Sequence, residues 1–251
     1  MSLEDRFSAY SRDYARFRPA YPPPLFEALA RETPARVLAW DCATGNGQAA
    51  VGLAGCFKRV VATDASQAQI ACARSHPRIE YRVAPEVASG LANGAADLVT
   101  VAQALHWLDR PAFYAEARRV LAPGGVVAAW CYGLVRMTQP IDRLIEEYYH
   151  ETVGRYWAPQ RRLVEDGYRS IDFPFEELSL PPFEIERPLT LPELAGYVRT
   201  WSATRAFMES EGWDPVGDLE RRLAEAWGKA ERHRAVWPLS VRAGCTRGPS
   251  G

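Results

Sequence analysis

The residues best suited to chemistry lie in the first half of this sequence. An apolar run ends in the acid Asp41, and Gly45 and Gly47 follow before a helix-favouring segment. A strand, a tight loop and a helix N-terminus let a ligand approach backbone amides closely. A second acid, Asp64, lies 17 residues beyond Gly47 at the end of another apolar run, where a carboxylate can accept both hydroxyls of a ribose. Together these positions predict a site for an adenosine-type ligand, with a plain helix-capping role for Asp64 as the alternative.

Two classes of cofactor use such a unit. The run from Gly45 through Gly47 to Ala50 fits the permissive fingerprint of NAD(P)-dependent oxidoreductases. Asp41 argues against a dinucleotide, because an acid ahead of the loop pairs with the ammonium of a methionine group and repels a pyrophosphate. We therefore expect S-adenosylmethionine as the cofactor. An NAD(P)-dependent oxidoreductase and a non-catalytic cofactor-binding protein remain the alternatives.

His106 is the candidate catalytic residue. It follows an apolar segment predicted to be a strand, which places it at the carboxyl edge of a sheet. Imidazole titrates near neutrality, so it can accept a proton from a hydroxyl or amine, or orient a carboxylate. A histidine that only packs in the interior is the alternative, and Trp107 beside it is expected to form a wall of the substrate site.

The amino-acid composition limits the kinds of partner that we expect this chain to bind. Thirty Lys and Arg residues nearly balance 31 Asp and Glu residues in the 251-residue chain, so no charge field favours nucleic acid or an anionic membrane. No apolar run spans a bilayer and the N-terminus lacks the order of a signal peptide, which predicts a cytoplasmic protein acting on a small molecule. The five cysteines and four histidines show no ligand spacing, so we expect no metal site and reduced thiols. The oligomeric state stays open.

Strands and helices alternate in the pattern from residue 36 onward. Strands are predicted at 36–40, 59–63, 78–83, 96–101 and 126–131, and helices at 25–31, 47–57, 66–74 and 110–120. This alternation predicts an α/β fold, a mostly parallel sheet with helices on both faces.

The alternation stops after Cys131. Helical patterns cover 139–151, 192–207 and 215–233, extended runs cover 175–180 and 183–188, and a last strand is expected at 236–241. We expect a single domain over 1–251 with a seven-stranded sheet. Its predicted parts are an N-terminal cap at 1–33, a core at 34–132 completed by strands up to about 243, a mostly helical lid at about 133–233, and a flexible tail at 244–251.

Four landmarks in order resemble the class I S-adenosylmethionine-dependent methyltransferases. They are Asp41-x-x-x-Gly45-x-Gly47, Asp64, the segment 97–107 and the run Leu121-Ala122-Pro123-Gly124-Gly125. The resemblance covers roughly residues 34–132 and implies a Rossmann-like fold. Residues 14–22 and the run Ala104-Leu105-His106-Trp107 are similar to the trans-aconitate methyltransferase-like branch of that family.

The resemblance also implies roles for single residues. Asp41 and the Gly45–Gly47 loop would hold the methionine end, Asp64 the ribose hydroxyls, and Ala65 would lie beside the adenine. Gln103 would border the sulfonium, and Tyr14 and Arg18 would close over the cofactor's carboxylate. Two departures from the family pattern are Gln69, where a bulky apolar residue is usual beneath the adenine, and Glu86, an acid one place early for its adenine contact.

One helix of the predicted lid carries candidate substrate residues. Tyr197, Trp201 and Arg205 are spaced four apart and are expected to share a face of that helix, with Arg199 between them. An arginine beside aromatic rings can bind an acidic substrate through paired hydrogen bonds, which assigns Trp201 and Arg205 to the substrate side. Surface ion pairing is the alternative for such an arginine.

Overall fold

The computed structural model describes residues 16–246, which form two compact units. The sheet unit contains residues 20–132, 162–183 and 239–246, and the helical unit contains residues 16–19, 133–161 and 184–238. Residues 162–183, expected in the lid, thus belong to the sheet unit. Within the described chain no helix combines the length and the apolar character that crossing a bilayer requires.

Five parallel strands make up most of the sheet, and their order is β3-β2-β1-β4-β5. The strands are β1 (Leu38–Cys42), β2 (Arg59–Asp64), β3 (Ile79–Val83), β4 (Ala96–Ala102) and β5 (Leu121–Tyr132). The helices are α1 (Pro23–Glu32), α2 (Gln48–Ala54), α3 (Gln67–Ala71) and α4 (Arg110–Val120), with a 3-10 turn at Leu105–Trp107. The expected α/β architecture is confirmed. The order reverses between β1 and β4, the position where such sheets bind ligands.

Antiparallel strands extend the sheet beyond β5. Strand β8 (His233–Cys245) pairs with β5, and the two-residue strand β6 (Glu176–Glu177) pairs with β8. Strand β7 (Phe183–Leu189) also pairs with β8, off the main path, so the sheet has eight strands where seven were expected. The last strand is much longer than the expected 236–241, because its pairing with β5 continues as far as Cys245.

Both faces of the central strands β1, β2 and β4 are buried, whereas β3 at the edge is partly exposed. On one face Trp40 packs with Phe113 and Tyr168, and on the other Ala39 and Trp130 pack with Phe26 of α1. At the amino edge of the sheet, the Asp97 carboxylate accepts hydrogen bonds from the backbone amides of Val37 and Leu38, at 2.7 and 3.0 Å. These contacts join the start of β1 to the start of β4.

The helical unit differs from the predicted pattern at its helix ends. Its helices are α5 (Gln139–Glu147), α7 (Leu191–Arg199), α8 (Ser202–Glu211) and α9 (Val216–Trp227). The short α6 (Arg161–Glu165) follows α5 in the chain, and all of it but its first residue belongs to the sheet unit. The single helix expected over 192–207 is wrong, since Trp201 is extended (φ −68°, ψ 138°) and separates α7 from α8. The helix expected over 215–233 ends at Trp227, where Gly228 has a φ of +69°.

Candidate active site

The loop between β1 and α2 depends on left-handed backbone. Ala43, Gly45 and Gly47 have φ values of +53°, +57° and +85°, and Gly47 is the residue immediately before α2. Side chains with a Cβ rarely adopt this conformation, which is why glycine occupies two of the three positions. A Cβ on Gly47 would also overlap the hydroxyl of Tyr81 on β3. The Tyr81 hydroxyl donates a hydrogen bond to the carbonyl of Arg74 at 2.9 Å, and the Tyr81 ring packs directly against Gly47 of the loop.

Asp64 joins this loop to the end of β2. Its Oδ2 accepts the amide hydrogen of Gly45 at 2.8 Å, and its Oδ1 accepts the amide hydrogen of Ser66 at 2.8 Å. The cap of α3 is the Ser66 hydroxyl, which accepts from the amide of Gln69 at 3.3 Å, so the helix-capping alternative for Asp64 does not describe this geometry. Ala65 is exposed between the two contacts.

Asp41 is completely buried behind the loop. Its carboxylate accepts hydrogen bonds from the hydroxyls of Thr44 at 2.5 Å and Thr100 at 2.7 Å. Burial raises the pKa of Asp41 to about 6, while the bonds from Thr44, Thr100 and the amide of Ala50 lower it and the charge of Asp64 raises it. Asp41 therefore holds the loop conformation from the buried side, through Thr44. The expected contact between its carboxylate and the cofactor's ammonium stays a prediction.

Gln103 and Glu86 border the same edge. Gln103 has a left-handed backbone (φ +56°), its amide donates to the carbonyl of Trp130 at 2.8 Å, and its side-chain Nε2 donates to the carbonyl of Tyr132 at 3.2 Å. Glu86 Oε1 accepts from the amide of Asp109, at the start of α4, at 3.3 Å. Strained non-glycine residues such as Ala43 and Gln103 collect at functional sites, and these two follow the neighbouring strands β1 and β4.

His106 is buried next to an exposed ring. Its Nδ1 lies 2.8 Å from the hydroxyl of Tyr168, and its ring centroid is 4.9 Å from that of Trp107. His106 is 8% exposed, whereas Trp107 is 56% exposed. An exposed indole beside a hydrogen-bonded imidazole can contact a bound organic molecule, so the geometry is compatible with the expected wall.

The remaining candidates belong to the helical unit or lie outside the described residues. Tyr14 is outside them. Arg18 donates from Nε to the hydroxyl and from Nη2 to the carbonyl of Thr200, both at 3.0 Å. Trp201 is buried, and its ring centroid lies 5.8 Å from that of Tyr197. The two rings meet because the chain breaks between α7 and α8, not because they share one helix. Arg205 is partly buried on α8. The shared helix face predicted for Tyr197, Trp201 and Arg205 is wrong for that reason.

Several residues of the site were missed by the sequence analysis. Thr100 is a polar residue within an otherwise apolar strand, and Thr44 follows Asp41 by three, so both carried a readable signal. Tyr81 and Tyr168 carried none, because each reaches the site through packing between distant segments.

Metal chemistry finds no support in the described part of the chain. No group of three or more His, Cys, Asp or Glu side chains there is arranged to hold a metal ion. All five cysteines lie in that part and are free thiols.

Comparison with known proteins gives the class of this protein. Residues 40–129 match the family described as a methyltransferase domain. A protein of Dictyostelium discoideum provisionally named as a methyltransferase is 35% identical over 229 residues, which are 90% of this chain and 87% of that protein. The chain belongs to the class I S-adenosylmethionine-dependent methyltransferases, and it is an enzyme of that class.

A solved structure agrees closely. A protein of Anaeromyxobacter dehalogenans provisionally named as a type II methyltransferase is 45% identical, with a TM-score of 0.86 over 91% of this chain and 98% of that one. A protein from an antibiotic biosynthesis pathway of Anabaena variabilis, 15% identical with a TM-score of 0.50 over 86% of this chain and 96% of that one, shares the fold. S-adenosylmethionine is the cofactor, so the NAD(P)-dependent and non-catalytic alternatives are wrong.

The residues at the carboxyl edge fit this cofactor. The loop leaves space for a ligand at Gly45, which is half-buried and where a Cβ would meet only Gln69 Oε1 at 3.9 Å. A carboxylate has about four acceptor sites. The two that the amides of Gly45 and Ser66 use leave Asp64 with capacity for ribose hydroxyls.

Proposed function

We propose that this enzyme methylates an oxygen atom of a small molecule, either a carboxylate or a hydroxyl. One observation carries the proposal, namely the position of His106 and exposed Trp107 directly after β4. In the register of β1 and β4, Asp41 is level with Thr100 and Cys42 with Val101, so the glycine loop and the His106 turn leave neighbouring strands at the same height. A small acceptor held at the turn would lie next to a cofactor held at the loop.

Bound S-adenosylmethionine supplies a methyl group activated by the sulfonium charge. The protein's part is to hold the two partners in line, which by itself lowers the barrier substantially. In this proposal Asp64 and the loop at Gly45 and Gly47 bind the cofactor, Ala65 and Glu86 lie towards the adenine, and Gln103 borders the sulfonium. His106 accepts a proton from a hydroxyl or orients a carboxylate, and Trp107 forms one wall.

Asp41 has an indirect part in this scheme. Its burial supports a role in shaping the loop through Thr44 and Thr100, with its charge felt by the cofactor's ammonium over a distance. Tyr14 and Arg18 are proposed partners of the cofactor's carboxylate on the strength of the family resemblance.

Trp201 and Arg205 are proposed substrate residues of the helical unit. The similarity to the trans-aconitate methyltransferase-like branch supports an acidic acceptor, which an arginine would bind. Its balanced charges support a small molecule as the substrate rather than nucleic acid or a membrane surface, and we propose the cytoplasm as the place where the enzyme acts.

The test is calorimetry followed by an acceptor screen. S-adenosylmethionine and S-adenosylhomocysteine should bind, with NAD as the negative control. Small carboxylates, phenols and amines are then compared by the release of S-adenosylhomocysteine. Turnover of amines alone would overturn the proposed oxygen acceptor.

The role of His106 has its own variant. His106→Ala should lower turnover of the acceptor found in the screen while cofactor affinity stays nearly unchanged, because the ring follows β4 and contacts Tyr168 rather than the glycine loop. His150→Ala, at an exposed histidine of the helical unit, is the matched control. Equal turnover in the two variants would remove His106 from the catalytic machinery.

A further inference from the structure

We infer that Arg161 of the helical unit binds the carboxylate of an acidic acceptor, and that Tyr149 and Trp157 hold its guanidinium ready for this contact. The inference rests on the proposed acidic acceptor and deepens it, because it names an arginine that recognises the acid. The sequence pattern assigns that role to Arg205, and Arg161 was not among the predicted substrate residues.

The Arg161 guanidinium packs against two aromatic rings. Its Cζ lies 4.7 Å from the ring centroid of Trp157 and 5.4 Å from that of Tyr149. Its Nε donates a hydrogen bond to the Tyr149 hydroxyl at 2.6 Å. A guanidinium is attracted to the faces of aromatic rings, and its planar shape lets it stack on them. These contacts together fix the plane of the Arg161 guanidinium.

The two rings are themselves held in place. The Trp157 indole Nε1 donates to the carbonyl of Tyr149 at 3.2 Å, and the two ring centroids are 4.7 Å apart. Trp201, which is buried, lies 5.7 Å from the Tyr149 ring and 5.8 Å from the Trp157 ring. Tyr149 is buried as well, whereas Trp157 and Arg161 are half-buried. The buried rings therefore support the cluster, and Trp157 and Arg161 are the part that a ligand can reach.

The positive charge of Arg161 has no counter-charge within residues 16–246. No carboxylate of that range is at ion-pair distance from the guanidinium, and the Tyr149 hydroxyl is its one hydrogen-bond partner there. Arginine stays protonated at neutral pH, so the donors on Nη1 and Nη2 are available to a ligand. Removing part of the hydration of a charge is costly unless a partner replaces it. A carboxylate suits this need, because its two oxygens can accept parallel hydrogen bonds from the two terminal nitrogens.

Arg155 of the same unit shows the contrasting arrangement. Its guanidinium lies 4.8 Å from the ring centroid of Tyr156, but its Nη2 also donates to the carboxylate of Glu211 at 2.8 Å. Its side chain is 73% exposed, so Arg155 belongs to an ordinary surface ion pair. Arg161 has the same kind of aromatic packing without the protein carboxylate. The missing carboxylate is the group that the acceptor supplies.

The test is a titration of the free enzyme with benzoate at constant ionic strength, followed by ¹H–¹⁵N spectra. Two N–H groups report on the site, the Nε–H of Arg161 and the indole N–H of Trp157, and their signals are identified by Arg161→Lys and Trp157→Phe. Both signals should shift saturably with benzoate. Benzamide, which has a similar shape without the charge, should bind about tenfold more weakly. Equal affinities for the two probes, or no saturable shift with benzoate, would overturn the inference.

Arg161→Gln should weaken benzoate binding by about tenfold, read from the Trp157 signal. Arg155→Gln is the matched control, because it removes a ring-stacked charge of the same unit that is already paired with Glu211. It should leave benzoate binding unchanged. Undiminished binding in Arg161→Gln, or equal losses in the two variants, would contradict the assignment.

Denaturant titration checks that each variant is folded. If Arg161→Gln does not fold, the comparison of benzoate with benzamide in the wild type still decides the question. None of these measurements uses the cofactor or turnover. An acceptor screen in which only amines are methylated would therefore contradict the proposed function separately.

Discussion

The glycine loop (residues 43–47) and the His106 turn (residues 103–107) leave adjacent parallel strands at one edge of the sheet, yet different parts of the chain hold them. The glycine loop is bound by the strands themselves. Asp64 at the end of β2 accepts from the Gly45 amide, and Asp41 of β1 accepts from the hydroxyls of Thr44 in the loop and Thr100 in β4. The His106 turn is bound by Tyr168, which lies 62 residues away in sequence in a segment that follows β5. Arg242 of β8 in turn holds that segment.

With the roles proposed above for the loop and for His106, this difference would separate cofactor binding from acceptor chemistry. A loop fixed by neighbouring parallel strands keeps its shape as long as the sheet is intact. A histidine fixed by an added segment can be tuned by changes in that segment while the loop stays unchanged. Variants at the loop should therefore alter cofactor affinity, and variants at Tyr168 should not.

The largest expected effect is that of Gly47→Ala. A Cβ there costs roughly 1–2 kcal/mol for the left-handed backbone and about 1–3 kcal/mol more for overlap with Tyr81. Both the free energy of unfolding and the affinity for S-adenosylmethionine should fall, as measured by denaturant titration and calorimetry. Gly94→Ala is the matched control, because Gly94 has a φ of +66° with no atom within 4 Å of an added Cβ. Equal losses in the two variants would contradict the packing of Tyr81 on the loop.

The next effect is a pH dependence of stability from Asp41. Its pKa is raised from 3.8 to about 6, so the folded state binds the proton more tightly than the unfolded chain does. The contribution of Asp41 to the free energy of unfolding is therefore greatest below about pH 4. It falls by about 3 kcal/mol in total as the pH rises to about 6. Asp41→Asn should remove this fall in denaturant titrations at a series of pH values.

Another buried carboxyl has the opposite dependence. Hydrogen bonds from Arg119 lower the pKa of Glu116 to about 2, so its stabilisation is lost only as the pH falls from about 4.5 towards 2. The interval from pH 4.5 to 7 therefore excludes the contribution of Glu116, and the difference between wild type and Asp41→Asn in that interval reports Asp41. Parallel curves for wild type and Asp41→Asn in that interval would show that the Asp41 carboxyl is solvated in the folded protein.

Asp64→Ala should weaken cofactor binding by about 1.5–3 kcal/mol, the usual contribution of hydrogen bonds to a charged group. Each 1.4 kcal/mol corresponds to roughly a tenfold loss of affinity. The variant removes the acceptor for the Gly45 amide as well as the proposed ribose contact. Asp109→Ala is the control, since the Asp109 side chain caps α4 through the amide of Ala112 at 3.2 Å, and the variant keeps the backbone amide that donates to Glu86. It should lose about 1 kcal/mol of stability and leave the cofactor dissociation constant unchanged. An unchanged constant in Asp64→Ala would exclude Asp64 from the cofactor site.

The smallest effect is expected for Tyr168→Phe. Loss of one buried hydrogen bond should reduce the free energy of unfolding by about 0.5–1.5 kcal/mol. Calorimetry should give the same affinity for S-adenosylmethionine as the wild type. A weakened affinity would mean that the two loops are coupled, against the separation described above.

Several features of the site followed from local sequence alone. Strand β1, the two glycines and Asp64 at the end of β2 lie where the pattern of apolar residues and turn residues predicts them, because such patterns depend on neighbours a few residues away. The helix over 192–207 failed for the same reason, since nothing local indicates that Trp201 is drawn out of the helix to pack beside Tyr149 and Tyr197.

The sequence by itself determined the class of fold, the position of the glycine loop and the choice of cofactor, because Asp41, Gly45, Gly47 and Asp64 form one short continuous unit. Only the tertiary structure decided how these residues are used. It buried Asp41 beneath the loop and brought Tyr168 to His106, since contacts between segments tens of residues apart depend on how the whole sheet packs rather than on any local preference.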